Sequence, residues 1–197
     1  MDLGAEWNLF TVIMAGDEPR FREALQGPGA LEMRIDETHF PKHPETEAMS
    51  ILYFTVGWNT SPLHAAAKAN RPDFIRALLG AGMEIETRAD YDDCTALHMA
   101  AWWDKVEAAR CLIEEGADIE VNTGEIHNTT AASWAIVSGS THVLELLLVE
   151  HRAEIRDYYL PDAIAAAKGE FRVYRASTEE KYEKALAILN SRLSELE

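Results

Sequence analysis

Ser61-Pro62-Leu63-His64-Ala65-Ala66-Ala67 returns as Thr95-Ala96-Leu97-His98-Met99-Ala100-Ala101, with the two histidines 34 positions apart. A second motif keeps the same interval. Leu78-Leu79-Gly80-Ala81-Gly82-Met83-Glu84-Ile85 comes back as Leu112-Ile113-Glu114-Glu115-Gly116-Ala117-Asp118-Ile119, and Gly82 and Gly116 are again 34 apart. Two separate motifs sharing one period constrain the fold more than any bulk property can. A period of that size marks a supersecondary unit that cannot bury its apolar face alone and must stack on its neighbours. A third, degenerate copy follows, with Thr130-Ala131-Ala132-Ser133-Trp134-Ala135 and then Leu146-Leu147-Leu148 and Ala153-Glu154-Ile155. Its loop reads as about one residue longer than in the other copies.

Each unit reads as two helices. Thr95 precedes an apolar run and is placed to cap the N-terminus of the first. Ala100 and Ala101 are small enough to let neighbouring helices approach. Val106, Ala109, Leu112 and Ile113 fall at helical spacing and make one apolar face on the second helix, and Gly116 supplies a left-handed stop. At these residues the chain resembles the ankyrin-repeat family, through the Thr-x-Leu-His-x-Ala-Ala opening and the Leu-Leu…Gly-Ala-Asp close. The match is good over 57–120 and weaker over 121–156. The resemblance implies an all-α solenoid of stacked helix pairs with β-turn finger loops. One domain over 1–197 is expected: an N-terminal capping pair at 1–35, repeats at 57–90, 91–124 and 125–156, and C-terminal capping helices at 157–197.

Within the N-terminal pair, Ala5–Ala15 and Glu18–Leu25 read as helices closed by Gly27-Pro28-Gly29-Ala30. From Gly29 to Gly82 the chain carries 19 residues more than one period. The surplus makes an enlarged finger over 36–56. Its polar part, Asp36–Glu47, contains Pro41 and Pro44 and is expected to be mobile. Ile51–Trp58 is apolar and β-prone, with a short strand expected over Ile51–Val56. At the far end Pro161–Lys168 and Ser177–Leu193 read as helices, the second opened by Ser177-Thr178-Glu179-Glu180.

Charge narrows the function. Against 34 Asp+Glu stand 18 Lys+Arg, a net charge of −16. A nucleic-acid binder needs a Lys/Arg surface, and an anionic membrane repels such a chain. A basic protein is the partner that fits, with the chain monomeric or in a hetero-complex. No stretch approaches a membrane span, and Leu9–Ala15 lacks the basic flank of a signal peptide. Two cysteines, Cys94 and Cys111, make neither a disulfide framework nor a four-ligand zinc site. A soluble cytoplasmic protein is expected.

Candidate chemistry is sparse. The resemblance makes His64 and His98 loop-holding residues, hydrogen-bonded to the Ser/Thr and nearby backbone, and not catalytic. Glu37, His39, His43 and Glu45 could supply metal ligands, and a solvated loop is the alternative for them. Cys111 lies on an apolar helix face, and Cys94 is placed at an exposed fingertip. No nucleotide-binding, nucleophile-elbow or zinc-protease motif occurs, and no carboxylate pair is singled out for acid–base work. No enzymatic activity and no cofactor are expected. The rival is a metal-binding protein or metal-dependent enzyme using His39 and His43.

The resemblance implies that partners bind at the fingertips and the concave ends of the first helices. Those slots hold Gly57, Trp58, Thr60, Lys68 and Ala69 in the first copy. In the second they hold Tyr91, Asp92, Cys94, Trp102 and Trp103, and in the third Ile126, His127, Thr129, Val137 and Ser138. Adjacent tryptophans at solvent-facing slots are costly unless covered, and Trp and Tyr tend to dominate binding energy. The expected partner-binding residues are Trp58, Tyr91, Asp92, Trp102, Trp103, Ile126 and His127. One tryptophan packing beneath the insertion is the alternative. Acids clustered at Glu84, Glu86, Asp90, Asp92 and Asp93, and again at Glu114, Glu115, Asp118, Glu120 and Glu125, are expected to form a rim. Small acidic chains of this kind also resemble bacterial immunity proteins, which bind and block a toxin. That resemblance implies an inhibitor occupying a basic, nucleic-acid-binding surface.

Overall fold

The small-residue pattern at the repeat openings is what brings the helices together in a computed structural model that describes residues 5–34, 60–89, 93–124, 129–154 and 179–195. Helices α1 (Ala5–Ala15) and α2 (Glu18–Leu25) form the first pair. Then come α3 (Pro62–Lys68) with α4 (Pro72–Gly80), and α5 (Ala96–Trp102) with α6 (Val106–Glu114). The third clear pair is α7 (Ala131–Ser138) with α8 (Thr141–Glu145), whose C-terminal end runs on as a π-helical turn, Leu146–Glu150. A final helix, α9 (Glu179–Ser194), packs on the third pair. Among the described residues there is no β-strand. The expected strand over Ile51–Val56, the mobile segment 36–47 and the helix over Pro161–Lys168 lie outside the described residues.

The first helices of successive pairs form an inner row, with α5 between α3 and α7, and the second helices form an outer row. Inner-row spacing is set by alanine: Ala65, Ala66, Ala67, Ala100, Ala101 and Ala135 are fully buried. Larger side chains fill the gap between rows, with Leu63, Leu78, Leu97, Leu112 and Leu147 almost without solvent exposure. The outer helices contribute one stripe each, as Ala108, Ala109, Cys111 and Leu112 do on α6.

Turns between inner and outer helices repeat one device. Gly16, Asn70, Asp104 and Gly139 all sit in the left-handed region, with φ of 71°, 55°, 53° and 69°. Asn and Asp tolerate that region because their short side chains bond locally. Here they do more, since each caps the outer helix of the next pair. Asn70 Oδ1 accepts from Ala108 N–H at 3.0 Å. Asp104 Oδ1 accepts from His142 and Val143 N–H at 3.1 and 3.0 Å. Asp104→Ala therefore removes two cap bonds and the polar side chain that makes left-handed backbone tolerable there. It is expected to cost about 2 kcal/mol, while Asp104→Asn keeps most of that. Urea denaturation of the three proteins checks this; an alanine variant as stable as the parent contradicts it.

The third copy is longer in two places. One extra residue falls in the finger, since Thr95 to Thr130 is one step more than His64 to His98. The other falls in the outer helix and is absorbed by the π-helical turn, closed by His151 N–H on the Leu146 carbonyl at 3.1 Å. A π turn is how a helix accepts an inserted residue without losing its downstream register. Arg152, at φ 58°, then takes the place held by Gly82 and Gly116 at φ 101° and 99°.

Candidate functional site

The inner row is fastened by its histidines. Ser61 and Thr95 cap α3 and α5 in capping boxes, with His64 and His98 in the position usually held by Glu or Gln. Ser61 N–H donates to His64 Nδ1 at 3.3 Å, and Thr95 N–H does the same to His98 Nδ1. With Nδ1 accepting, each Nε2 carries the proton and donates it to the next copy, His64 to the Cys94 carbonyl and His98 to the Thr129 carbonyl, both at 3.0 Å. Both rings are buried. Desolvation pulls each imidazole down to about 4, against a smaller opposing pull from the carbonyl it donates to. Neutral rings bridging two copies are structural staples, as the resemblance implied.

Above this floor lies an aromatic surface. Trp102 ends α5 and Trp103 caps it, both half-buried. Trp102 meets the Trp134 ring edge-on at 5.6 Å, and Trp134 meets His98 edge-on at 5.4 Å. Trp134 Nε1–H donates to Thr129 Oγ1 at 2.9 Å, which leaves its apolar body for packing. Trp103 lies the other way, against the first copy, with Lys68 Nζ 4.8 Å from its ring centroid. Beneath it Ala89, Cys94 and Met99 form a small cluster of their own. The two tryptophans thus bridge α5 to both inner neighbours, and each keeps part of its ring in solvent.

Cys94 corrects the sequence reading. It was expected at an exposed fingertip, yet it is 3% exposed, because Met99 and Trp103 close over it. Cys111 is buried as its helix face implied, its thiol pushed up chiefly by desolvation.

The acids are more occupied than a free rim would be. Glu86 Oε1 accepts from Asp118 N–H at 2.8 Å, and one period on Glu120 Oε1 accepts from Glu154 N–H at 2.8 Å. Glu114 and Glu115 hold Arg76, while Asp93 holds Arg88, which also donates to the Asn122 carbonyl of the next finger at 2.7 Å. Glu84 and Asp118 remain exposed. Glu86, Glu114, Glu115 and Glu120 thus turn part of their charge to tying one copy to the next.

Of the residues expected to bind a partner, Trp102 and Trp103 are described, and they face opposite neighbouring copies. Trp58, Tyr91, Asp92, Ile126 and His127 lie outside the described residues, as do Glu37, His39, His43 and Glu45. Among the described residues no three His, Cys, Asp or Glu side chains gather to hold a metal ion, and no helix is long and apolar enough to cross a membrane. Sequence reasoning missed Trp134 as a surface residue. Its slot holds Ala65 and Met99 in the other copies, and that growing bulk was the available signal.

Comparison with known proteins agrees with this architecture. Residues 42–123 match the family described as ankyrin repeats in three copies. The mouse nuclear factor NF-kappa-B p105 subunit is 32% identical over 91 residues, covering 46% of this chain and 9% of that protein. Mouse protein phosphatase 1 regulatory subunit 12A is 40% identical over 58 residues, 29% of this chain and 6% of its own. The human transient receptor potential cation channel subfamily A member 1 is 27% identical over 99 residues, 50% of this chain and 9% of its own. The chain spans less than a tenth of each of these relatives, and what it shares with them is the repeat segment.

Proposed function

Because the chain is an ankyrin-repeat-containing protein, we propose that it is a non-enzymatic protein-binding module whose partner docks on the inner-helix face around Trp102 and Trp103. A stack of ankyrin repeats is a protein–protein interaction module. The observation that carries the reading is the pair of half-exposed tryptophans, held from both sides by the inner row. Large rings fixed in place lose little entropy on binding and tend to carry interface energy. By their slots in the repeat sequence, Trp58, Tyr91, Asp92, Ile126 and His127 are further candidates for contact with the partner.

The net charge of −16 supports a basic partner. Glu84 and Asp118 supply exposed charge along the finger edge, which speeds encounter and weakens with salt. The sharpest form of the reading is an inhibitor or immunity protein covering a nucleic-acid-binding surface of its partner, at work in the cytoplasm.

The test is mutational. A partner recovered from the native source is measured against the parent and a Trp102→Ala/Trp103→Ala variant, with far-ultraviolet circular dichroism confirming that the helices persist. Affinity is expected to fall at least tenfold, about 1.4 kcal/mol or more. A folded variant that binds as tightly as the parent sinks the proposal.

A further inference from the structure

Lys68 ends α3 only 7% exposed, and its Nζ has no hydrogen-bond partner among the described residues. Among the described residues no anion neutralises its charge. The Trp103 ring lies 4.8 Å away, and the charge acting on it from the adjacent turn is a second cation, Lys105. The fold does not require a charge at this place either: the equivalent positions of the next two copies hold Trp102 and Val137. An ammonium with unmet donors is costly to bury. A positive spot in a chain of net charge −16 therefore calls for a ligand that repays it.

We infer that Lys68 is a carboxylate-binding site: an acidic side chain of the partner protein lands beside Trp103, draws the flexible lysine Nζ out from the ring and pairs with the ammonium. The inference rests on the inner-helix face being the binding surface, and it names the chemistry at its centre. Lys105 adds attraction for the same acid. The tryptophan wall excludes water, and a charged hydrogen bond is worth more in such a place than in solvent. Burial holds the amine at about 7 in the free protein, and an incoming carboxylate restores its proton. The partner thus presents basic surface to the fingers and one acid to the inner row.

Benzoate and its neutral counterpart benzamide probe this site on the full chain, with tryptophan fluorescence as the readout at constant ionic strength. Benzoate is expected to quench saturably and to bind at least fivefold tighter than benzamide. Lys68→Met, which keeps the stem and removes the charge, is expected to abolish that preference and to melt no lower than the parent. With the partner in hand, the same variant weakens binding at least tenfold. Equal binding of the two probes by the parent overturns the inference. So does a preference that survives in Lys68→Met, or a variant that melts several degrees lower, because the amine then holds the fold. The two readings fail separately: an inert tryptophan pair removes the binding face, whereas an inert Lys68 leaves that face and removes only its acid.

Discussion

Lowering the pH from 7 to 5 is expected to remove about 2 kcal/mol of stability for each of His64 and His98, and about 3 kcal/mol each by pH 4. Both imidazoles are held at about 4 in the folded chain, against 6.5 for an unperturbed ring. Below pH 6.5 the unfolded chain takes up two protons that the folded chain refuses, so stability is full above that pH and drains away as the pH falls towards 4. The cause is geometric. A protonated Nδ1 loses its acceptor role toward Ser61 or Thr95 N–H, and the charge sits in a buried site. Paired carboxylates such as Glu107 and Glu150 are pulled below their ordinary range, so their losses come at lower pH and leave the interval from 6.5 to 5 to the histidines. Lys68 acts elsewhere again, between about 7 and 10.5, where raising the pH favours the folded chain. Urea denaturation at pH 7, 6 and 5 reads the effect. A flat profile over that interval, or an unchanged profile in His64→Gln/His98→Gln, contradicts the staple role.

Phe74→Ala is expected to cost about 3–5 kcal/mol. Phe74 is 1% exposed on α4, and its ring stacks on Phe21 of α2 with centroids 4.0 Å apart and planes 13° from parallel. Arg71 covers the other side, its Cζ 4.3 Å from the centroid, while its guanidinium is held by Asp73. The stack joins the N-terminal pair to the first clear repeat. Truncation opens a cavity and also loosens α1 and α2, so limited proteolysis within 5–34 is expected to quicken alongside the loss of stability. Arg110→Ala is the control. It deletes the exposed Arg110–Glu150 pair on the outer row and is expected to leave stability close to the parent's, because solvent screens such a pair. Equal losses from the two variants contradict this account of the stack.

What could be read in advance was what repeats. The spacing of His64 and His98, the Thr95 cap and the Gly116 stop all follow from local backbone chemistry, so the helix pairs and their order were legible. Features that depend on a neighbouring copy were harder. Cys94 looks like a fingertip residue until Met99 and Trp103 are folded over it. The acids of the fingers look like free charge until Glu86 and Glu120 are seen capping the next loop. That pairing was accessible, because the two acids stand one period apart. The π-helical turn was not, since Leu146-Leu147-Leu148 is apolar on every side and carries no phase that would locate an inserted residue. Lys68 was visible only as the occupant of a variable slot; its unmet amine is a property of what surrounds it.

Hydroxyl-radical footprinting of the chain, free and with its partner bound, tests the central claim most directly. The tryptophans of the inner row, Trp102 and Trp103, are exposed enough to be oxidised in the free chain. Met14 at the end of α1 and Val149 on the outer row are, among the described residues, the large exposed apolar side chains for comparison. The account predicts that oxidation at Trp102 and Trp103 slows several-fold in the complex, while Met14 and Val149 react as before. Undiminished oxidation of both tryptophans, with protection moving to the outer helices, would place the partner on the opposite face and contradict the claim.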